Sequence, residues 1–140
     1  MGMRIVAVGK VKQAWIRAGI EEYLKRLPQL QIREIKDSTP KKEAAKLLAS
    51  LHPQEKIVLL SEAGTLLTSI ELAQFIEQHR SEKLAFIIGG PEGCSDDLRD
   101  RAWKILSLSP LTFTHDMARL FLVEQLYRAH TIIHGGSYHK

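Results

Sequence analysis

Residues 84–94 combine a short apolar run with a turn in which the backbone can come close to a ligand. Leu84–Ile88 are five consecutive apolar residues, a pattern typical of a fully buried strand. Gly89, Gly90 and Gly93 follow, and the absence of side chains there leaves the main chain accessible. Ligands of open α/β sheets bind at such carboxyl ends of strands. The spacing matches neither a dinucleotide-binding fingerprint nor a P-loop, and a tight connection without a ligand stays an equal alternative. Glu92, the one acid in the turn, is either a ligand contact or a turn residue.

The last three residues, Tyr138-His139-Lys140, place an aromatic ring, an imidazole and a cation side by side. Such a set can stack on a base and hold a phosphate. Chain termini are more often disordered, and the sequence alone favours disorder here.

Other reactive residues form no recognised catalytic or metal-binding pattern. Cys94 is the only cysteine, and a small buried apolar residue is a better interpretation than a nucleophile. The six histidines include no His-Glu-x-x-His motif, so no metal site is predicted. His130 and His134 stand one helical turn apart, which favours a helix-end contact over a zinc site.

Length and charge favour one globular domain, residues 1–140, with a polyanionic partner. The chain carries a net charge of +4. Residues 1–50 hold 11 Lys and Arg against 5 Asp and Glu, a balance of +6, while the remainder has a balance of −2. A basic first part favours nucleic acid, although a solvated lysine-rich surface is the alternative. The single cysteine and the absence of a signal-peptide pattern at the start favour a cytoplasmic location.

Strand and helix patterns alternate along the chain, which predicts an α/β fold with a mostly parallel sheet and helices on both faces. Strands are expected at residues 3–9, 30–36 (near an edge), 56–60, 84–88 and, in shorter or extended form, 106–113. Helices are expected at residues 14–27, 41–51, 68–79 (opened by a Thr68/Glu71 capping box), 95–105 and 117–133. The last helix is apolar on more than one face, so we expect a homodimer.

Three segments, 60–64, 88–93 and 107–115, should meet at the carboxyl edge of this sheet. The third offers backbone groups, small hydroxyls and apolar side chains rather than charge. Such a pocket suits a flat apolar ring recognised through its edges by main-chain groups, and adenine fits that description.

Several motifs, in order along the whole chain, resemble the RlmH family, the small SPOUT-class methyltransferases of large-subunit ribosomal RNA. They are the opening strand Ile5–Gly9, Tyr23–Arg26, the turn Ile88–Gly93, the segment Leu106–His115, the helix stretch Arg119–Ala129 and the terminal Tyr138–Lys140. The chain is shorter than many relatives between the first helix and the strand at 56–60. Gly135-Gly136-Ser137 are plainer than the equivalent residues of relatives, which leaves the conformation of the tail open.

The resemblance implies a homodimer with a C-terminal trefoil knot (a rarity among folds) and S-adenosylmethionine as methyl donor. It implies methylation of N3 of a pseudouridine in 23S rRNA, on the assembled ribosome. The implied cofactor contacts are Leu60, Gly89, Leu108, Ser109, Pro110, Leu111, Thr112 and Phe113. The tail would face the substrate, with His139 as candidate base, Tyr138 stacking on the target and Lys140 holding a phosphate or anion.

The basic residues expected to hold rRNA phosphates are Lys10, Lys12, Arg17, Lys25 and Arg26. Two hypotheses compete with the enzyme: a non-catalytic ribosome- or RNA-binding factor of the same fold, and a small nucleotide-binding regulator. Neither would transfer a methyl group.

Overall fold

The computed structural model describes residues 2–140, and within them one sheet of five parallel strands runs in the order β2-β1-β4-β3-β5. The strands are β1 (Met3–Val8), β2 (Gln31–Ile35), β3 (Glu55–Leu66), β4 (Lys83–Ile88) and β5 (Lys104–Ser107). The helices are α1 (Ala14–Leu24), α2 (Pro40–Ala49), α3 (Ser69–Gln78), α4 (Asp96–Arg101) and α5 (His115–Ile133). The parallel sheet is confirmed, and β2 lies at an edge as predicted.

Both faces of the sheet are covered, which explains why the central strands are apolar without interruption. On β1, Ile5 and Ala7 point into one core and Val6 and Val8 into the other, as the two-residue repeat of a strand requires. Helices α1, α3 and α5 supply the first core, and α2 and α4 supply the second. The prediction of helices on both faces is therefore confirmed.

Side-chain caps fix where the helices begin. Thr68 accepts a hydrogen bond from the backbone N–H of Glu71, and the Glu71 carboxylate accepts one from the N–H of Thr68, so the predicted capping box is present. Ser95 caps α4, and Thr114 caps α5 by accepting from the N–H of Met117. The Thr114 cap starts α5 two residues earlier than predicted.

The strand predicted at residues 56–60 is too short, and residues 61–64, expected to be a loop at its carboxyl end, are not one, because β3 continues through them to Leu66. Its pairing with β5 shifts register between Leu60 and Thr65, so the extra residues form an irregularity inside the strand. Gly64 makes this possible: a Cβ there would lie 2.7 Å from the carbonyl carbon of Leu106. Ser61, Glu62 and Gly64 are residue types that are common in turns, so the sequence alone suggests a turn. Only the pairing with β5 before and after these residues shows that they belong to a strand.

The helix predicted to run from Ser95 to Ile105 is too long. It ends at Arg101, and the N–H of Trp103 donates to the carbonyl of Ile57. Strand β5 therefore begins at Lys104 and ends at Ser107. The following residues, 108–114, lie outside any helix or strand, in keeping with the argument from Pro110 against a central strand there.

Helix α5 packs between α1 and α3, and each of its 19 residues is buried or half-buried. Within residues 2–140 no helix has the length and apolar character needed to span a membrane. Strand order and pairing alone do not define the threading of the C-terminal segment, so the trefoil knot stays a prediction.

Candidate active site

A cavity of about 440 Å³ opens at the carboxyl edge of the sheet, where the three predicted segments meet. Seven of the eight predicted cofactor residues line it: Leu60, Gly89, Leu108, Ser109, Leu111, Thr112 and Phe113. Pro110 lies in the same loop but is not one of the lining residues. The structure thus brings together residues that are up to 53 positions apart in the chain, from Leu60 to Phe113.

The glycine turn forms one wall of the cavity and is held tightly. The N–H of Gly93 donates to the carbonyl of Gly90 at 3.0 Å, and Gly93 has a φ of +86°, a conformation that favours glycine. A Cβ on Gly89 would lie 2.6 Å from the Cys94 sulfur. Glu92 is exposed and does not line the cavity, so in this structure it is a turn residue.

Hydroxyl groups shape the opposite wall, between Ser107 and Thr112. The Ser107 hydroxyl donates to the carbonyl of Ser109 at 2.9 Å, and the Ser109 hydroxyl accepts from the N–H of Leu111 at 2.9 Å. The Thr112 hydroxyl donates to the Glu62 carboxylate at 2.9 Å, which joins this wall to β3. Such hydrogen bonds between neighbouring residues hold a loop in one conformation even though it forms no β-sheet hydrogen bonds.

The cavity also has charged and titratable groups that the sequence did not identify. Glu62 and Arg99, of opposite charge, both line it, and so does His115. No spacing pattern links Arg99, on α4, to the other segments. Burial raises the pKa of the Cys94 thiol, with Glu43 adding to the effect. Cys94 therefore stays neutral, which disfavours a nucleophilic role.

A smaller cavity of about 260 Å³ lies next to the first and shares Leu60, Leu108 and Phe113 with it. It extends toward α3 and α5, where the Ser69 hydroxyl donates to the Gln125 amide oxygen at 2.6 Å. Apolar side chains form most of its remaining wall.

The C-terminal tail is docked on α1 and α5, so the expectation of disorder is wrong. The Tyr138 hydroxyl donates to the Glu124 carboxylate at 2.7 Å and lies 3.2 Å from the Tyr23 hydroxyl. Its ring packs edge-on against Tyr127, and the Arg128 guanidinium lies 4.8 Å from the ring centre. These partners are far away in sequence or in the preceding helix, and no local pattern predicts the contact.

The docked tail does not reach the cavity of the same chain, since none of its three residues lines that cavity. His139 Nδ1 lies 3.0 Å from Arg128 Nη1, and a guanidinium can only donate. His139 therefore uses its acceptor nitrogen on Arg128. Burial, reinforced by Tyr23 and Glu124, raises the pKa of Tyr138 above its usual range. In this arrangement neither group is available as a base, and Lys140 is exposed.

The predicted phosphate-binding residues divide into two groups. Lys10, Lys12 and Arg17 are exposed near the amino end of α1, where the N–H of Lys12 donates to the Asp116 carboxylate at 3.2 Å. Asp116 follows His115, so this group lies beside the cavity. Lys25 and Arg26 lie at the other end of α1, where Arg26 stands over the rings of Tyr23 and Tyr127, near the tail.

The two spaced histidines make a helix-end contact. Their ring centres are 4.2 Å apart, and His134 Nδ1 lies 2.8 Å from the carbonyl of His130. In the described part of the chain, no three His, Cys, Asp or Glu side chains are grouped as a metal site would need.

Comparison with known proteins agrees with this geometry. Residues 1–139 match the family model described as "Predicted SPOUT methyltransferase". A protein of Parasynechococcus marenigrum (strain WH8102) named ribosomal RNA large subunit methyltransferase H is 52% identical, over 98% of this chain and 95% of its own length. One of the same name from Synechococcus sp. (strain RCC307) is also 52% identical, over 99% of this chain and 94% of its own length.

Among solved structures, a probable methylase family protein from Haemophilus influenzae Rd KW20 superimposes with a TM-score of 0.64. The alignment covers 99% of this chain and 70% of that one, at 13% sequence identity, so the likeness concerns the fold. The family model and the half-identical relatives both span nearly the whole sequence, and the chain therefore belongs to the SPOUT methyltransferase family, within the RlmH group that the resemblance had suggested.

Proposed function

We propose that this chain, acting as one domain (residues 1–140), methylates N3 of a pseudouridine in 23S rRNA with S-adenosylmethionine as donor. It would act on the assembled ribosome, in the cytoplasm, as a homodimer. The observation that carries the proposal is the main-chain-lined cavity in a chain of a methyltransferase family. The names of the half-identical relatives, which specify large-subunit ribosomal RNA, support the class of substrate.

The cavity fits a sulfonium nucleoside of the donor's size and chemistry. Its volume of about 440 Å³ lies within the range of about 300–1,000 Å³ typical of small-ligand sites. Leu60, Leu108 and Phe113 offer apolar surface to a purine ring, and the loop backbone offers edge contacts. Glu62 and Arg99 supply opposite charges for an amino-acid end. Once bound, the donor would supply an electrophilic methyl group.

The tail residues would act on the target base. N3 of a pseudouridine must lose its proton to become a nucleophile, and His139 is the candidate acceptor of that proton. It can accept only when its contact with Arg128 is released, because that contact occupies Nδ1. Tyr138, kept protonated, would stack on or orient the base, and Lys140 would hold a phosphate or anion.

A second copy of the chain would bring this tail to a cavity. The tail lies away from the cavity of its own protomer, so a homodimer in which each tail serves the partner's cavity would complete the site. Pairing through α5 is supported by half-buried apolar side chains on this helix: Leu120, Phe121, Tyr127, Ile132 and Ile133.

The direct test incubates the protein with ribosomes that lack the modification and with methyl-labelled donor, and then maps the labelled nucleotide. We expect one labelled pseudouridine in 23S rRNA, carrying the methyl group on N3. A protein that binds ribosomes but transfers no label would instead be the non-catalytic factor. Label on another base would keep the enzyme class and refute the proposed target.

A further inference from the structure

Trp15, in the first turn of α1, points its indole into solvent. It is 64% exposed, whereas its neighbour Ile16 is buried in the core. Single exposed apolar residues are common on proteins, so exposure alone identifies no site. The surroundings of Trp15 supply two further observations.

First, the segment that leads to Trp15 is held in place by two buried charged side chains of α5. Asp116 accepts from the N–H of Lys12, and Arg119 Nη2 donates to the carbonyl of Gly9 at 2.9 Å. Asp116 and Arg119 are only 5% and 3% exposed, and Arg119 is also paired with Glu34. Residues 9–12 are therefore fixed against the beginning of α5, where His115 and Ala118 line the cavity.

Second, the exposed charged residues that flank Trp15 in the sequence are cationic. Lys10, Lys12 and Arg17 are exposed, and the Arg17 guanidinium donates to the carbonyl of Val11 at 2.7 Å. An exposed aromatic ring next to an anchored segment that carries cations can stack on a nucleobase while the cations bind the adjacent phosphates. A second copy of this chain would bring the same positive charges to the contact, which disfavours it as the occupant.

We propose that Trp15 stacks on an unpaired rRNA nucleotide beside the methylation target, while Lys10 and Lys12 bind the neighbouring phosphates. This inference rests on the proposed function and adds a recognition residue to it. Trp15 contacts neither the donor cavity nor the tail, so its contribution concerns docking of the RNA.

The test measures the dissociation constant for unmodified ribosomes by co-sedimentation, with the wild-type protein and three variants. Trp15→Ala should weaken binding about tenfold, in line with the loss of one base–aromatic stack. Trp15→Phe retains a ring and should bind within about threefold of the wild type. Trp103→Ala is the matched control: Trp103 is also partly exposed and has Lys56 over its ring, but it packs on Phe75 and His79 at the opposite end of the sheet and does not line the cavity. Ribosome binding of this variant should not change.

The variants are also compared in donor binding, thermal unfolding and molecular mass in solution. The inference requires all three to be unchanged in Trp15→Ala. Wild-type affinity of Trp15→Ala for ribosomes would overturn it while leaving the methyltransferase proposal intact. A lower mass of Trp15→Ala in solution would overturn it in favour of a subunit contact. Wild-type protein that neither binds nor methylates ribosomes would overturn both proposals.

Discussion

The cavity and the C-terminal tail are built in opposite ways. The cavity is formed mainly by three distant segments that combine glycines, small hydroxyl residues and apolar side chains, and a single chain contains all of it. The tail has the side chains that suit proton transfer and stacking, but within that protomer they bind Glu124, Arg128 and Tyr23. Under the proposed function, this contrast separates two tasks: the cavity of one chain would bind the donor, and the tail would act on the target.

The largest effect that we expect comes from the tail. His139→Ala should lower the rate of ribosome methylation about 10²- to 10⁴-fold, the usual contribution of a general base, and leave donor binding unchanged. The rate is measured with saturating donor and unmodified ribosomes. His139→Gln keeps an acceptor for Arg128 but cannot take up a proton. If the Gln variant retains wild-type activity, His139 holds the tail in position and is not the base.

The next effect concerns the cavity wall. Gly89→Ala places a Cβ 2.6 Å from the Cys94 sulfur, so the wall must shift. Since overpacking costs about 1–3 kcal/mol, donor affinity measured by calorimetry should fall about tenfold. Cys94→Ala in the same chain removes the sulfur and should restore binding. Failure of the double variant to recover would show that the Gly89–Cys94 contact does not set the shape of the cavity.

A third prediction concerns the close approach of strands β3 and β5 next to the cavity. Gly64→Ala places a Cβ 2.7 Å from the backbone of Leu106, and backbone cannot move aside as a side chain can. We expect the free energy of unfolding in urea to fall by about 2–3 kcal/mol. Gly135→Ala, where φ is +73° but no atom lies within 4 Å, is the comparison and should cost only about 1 kcal/mol of strain. Equal losses would mean that β3 and β5 do not need this close approach.

The smallest effect is the pH dependence of stability at the carboxyl end of α5. Burial, with a contribution from His134, lowers the pKa of His130. In the unfolded chain, His130 takes up a proton as the pH falls below the ordinary histidine pKa of about 6.5. In the folded chain, His130 is still neutral at that pH. The stabilising contribution is therefore complete above that pH and is lost as the pH falls through the lower folded pKa. His130→Gln should flatten the decrease in unfolding free energy between pH 7 and 5, and an unchanged slope would contradict this assignment.

The part of the site that could be predicted from sequence is the part made by local chemistry. Gly89, Gly90 and Gly93 after a buried strand identify a turn, and the strand–helix alternation places Leu60 and the 108–113 segment at the same sheet edge. Residue types and order along the chain suffice for both inferences.

What could not be predicted depends on partners far away in the sequence. The segment 61–64 has the composition of a turn, yet pairing with β5 on both sides of it, at Leu60 and at Thr65, keeps it within a strand. The tail is docked because Tyr23 and Glu124 face it, and Arg99 reaches the cavity from α4, a helix outside the three predicted segments. Hydrogen bonds between residues that are 14 to 115 positions apart leave no mark on local periodicity.

The central claim is that one protomer binds the methyl donor without help from the tail. The most direct measurement is a calorimetric titration of S-adenosylmethionine into the wild-type chain and into a variant with Tyr138, His139 and Lys140 all changed to Ala. We predict the same dissociation constant for both proteins, together with loss of ribosome methylation in the variant. Donor affinity that falls along with the activity would contradict the division between cavity and tail.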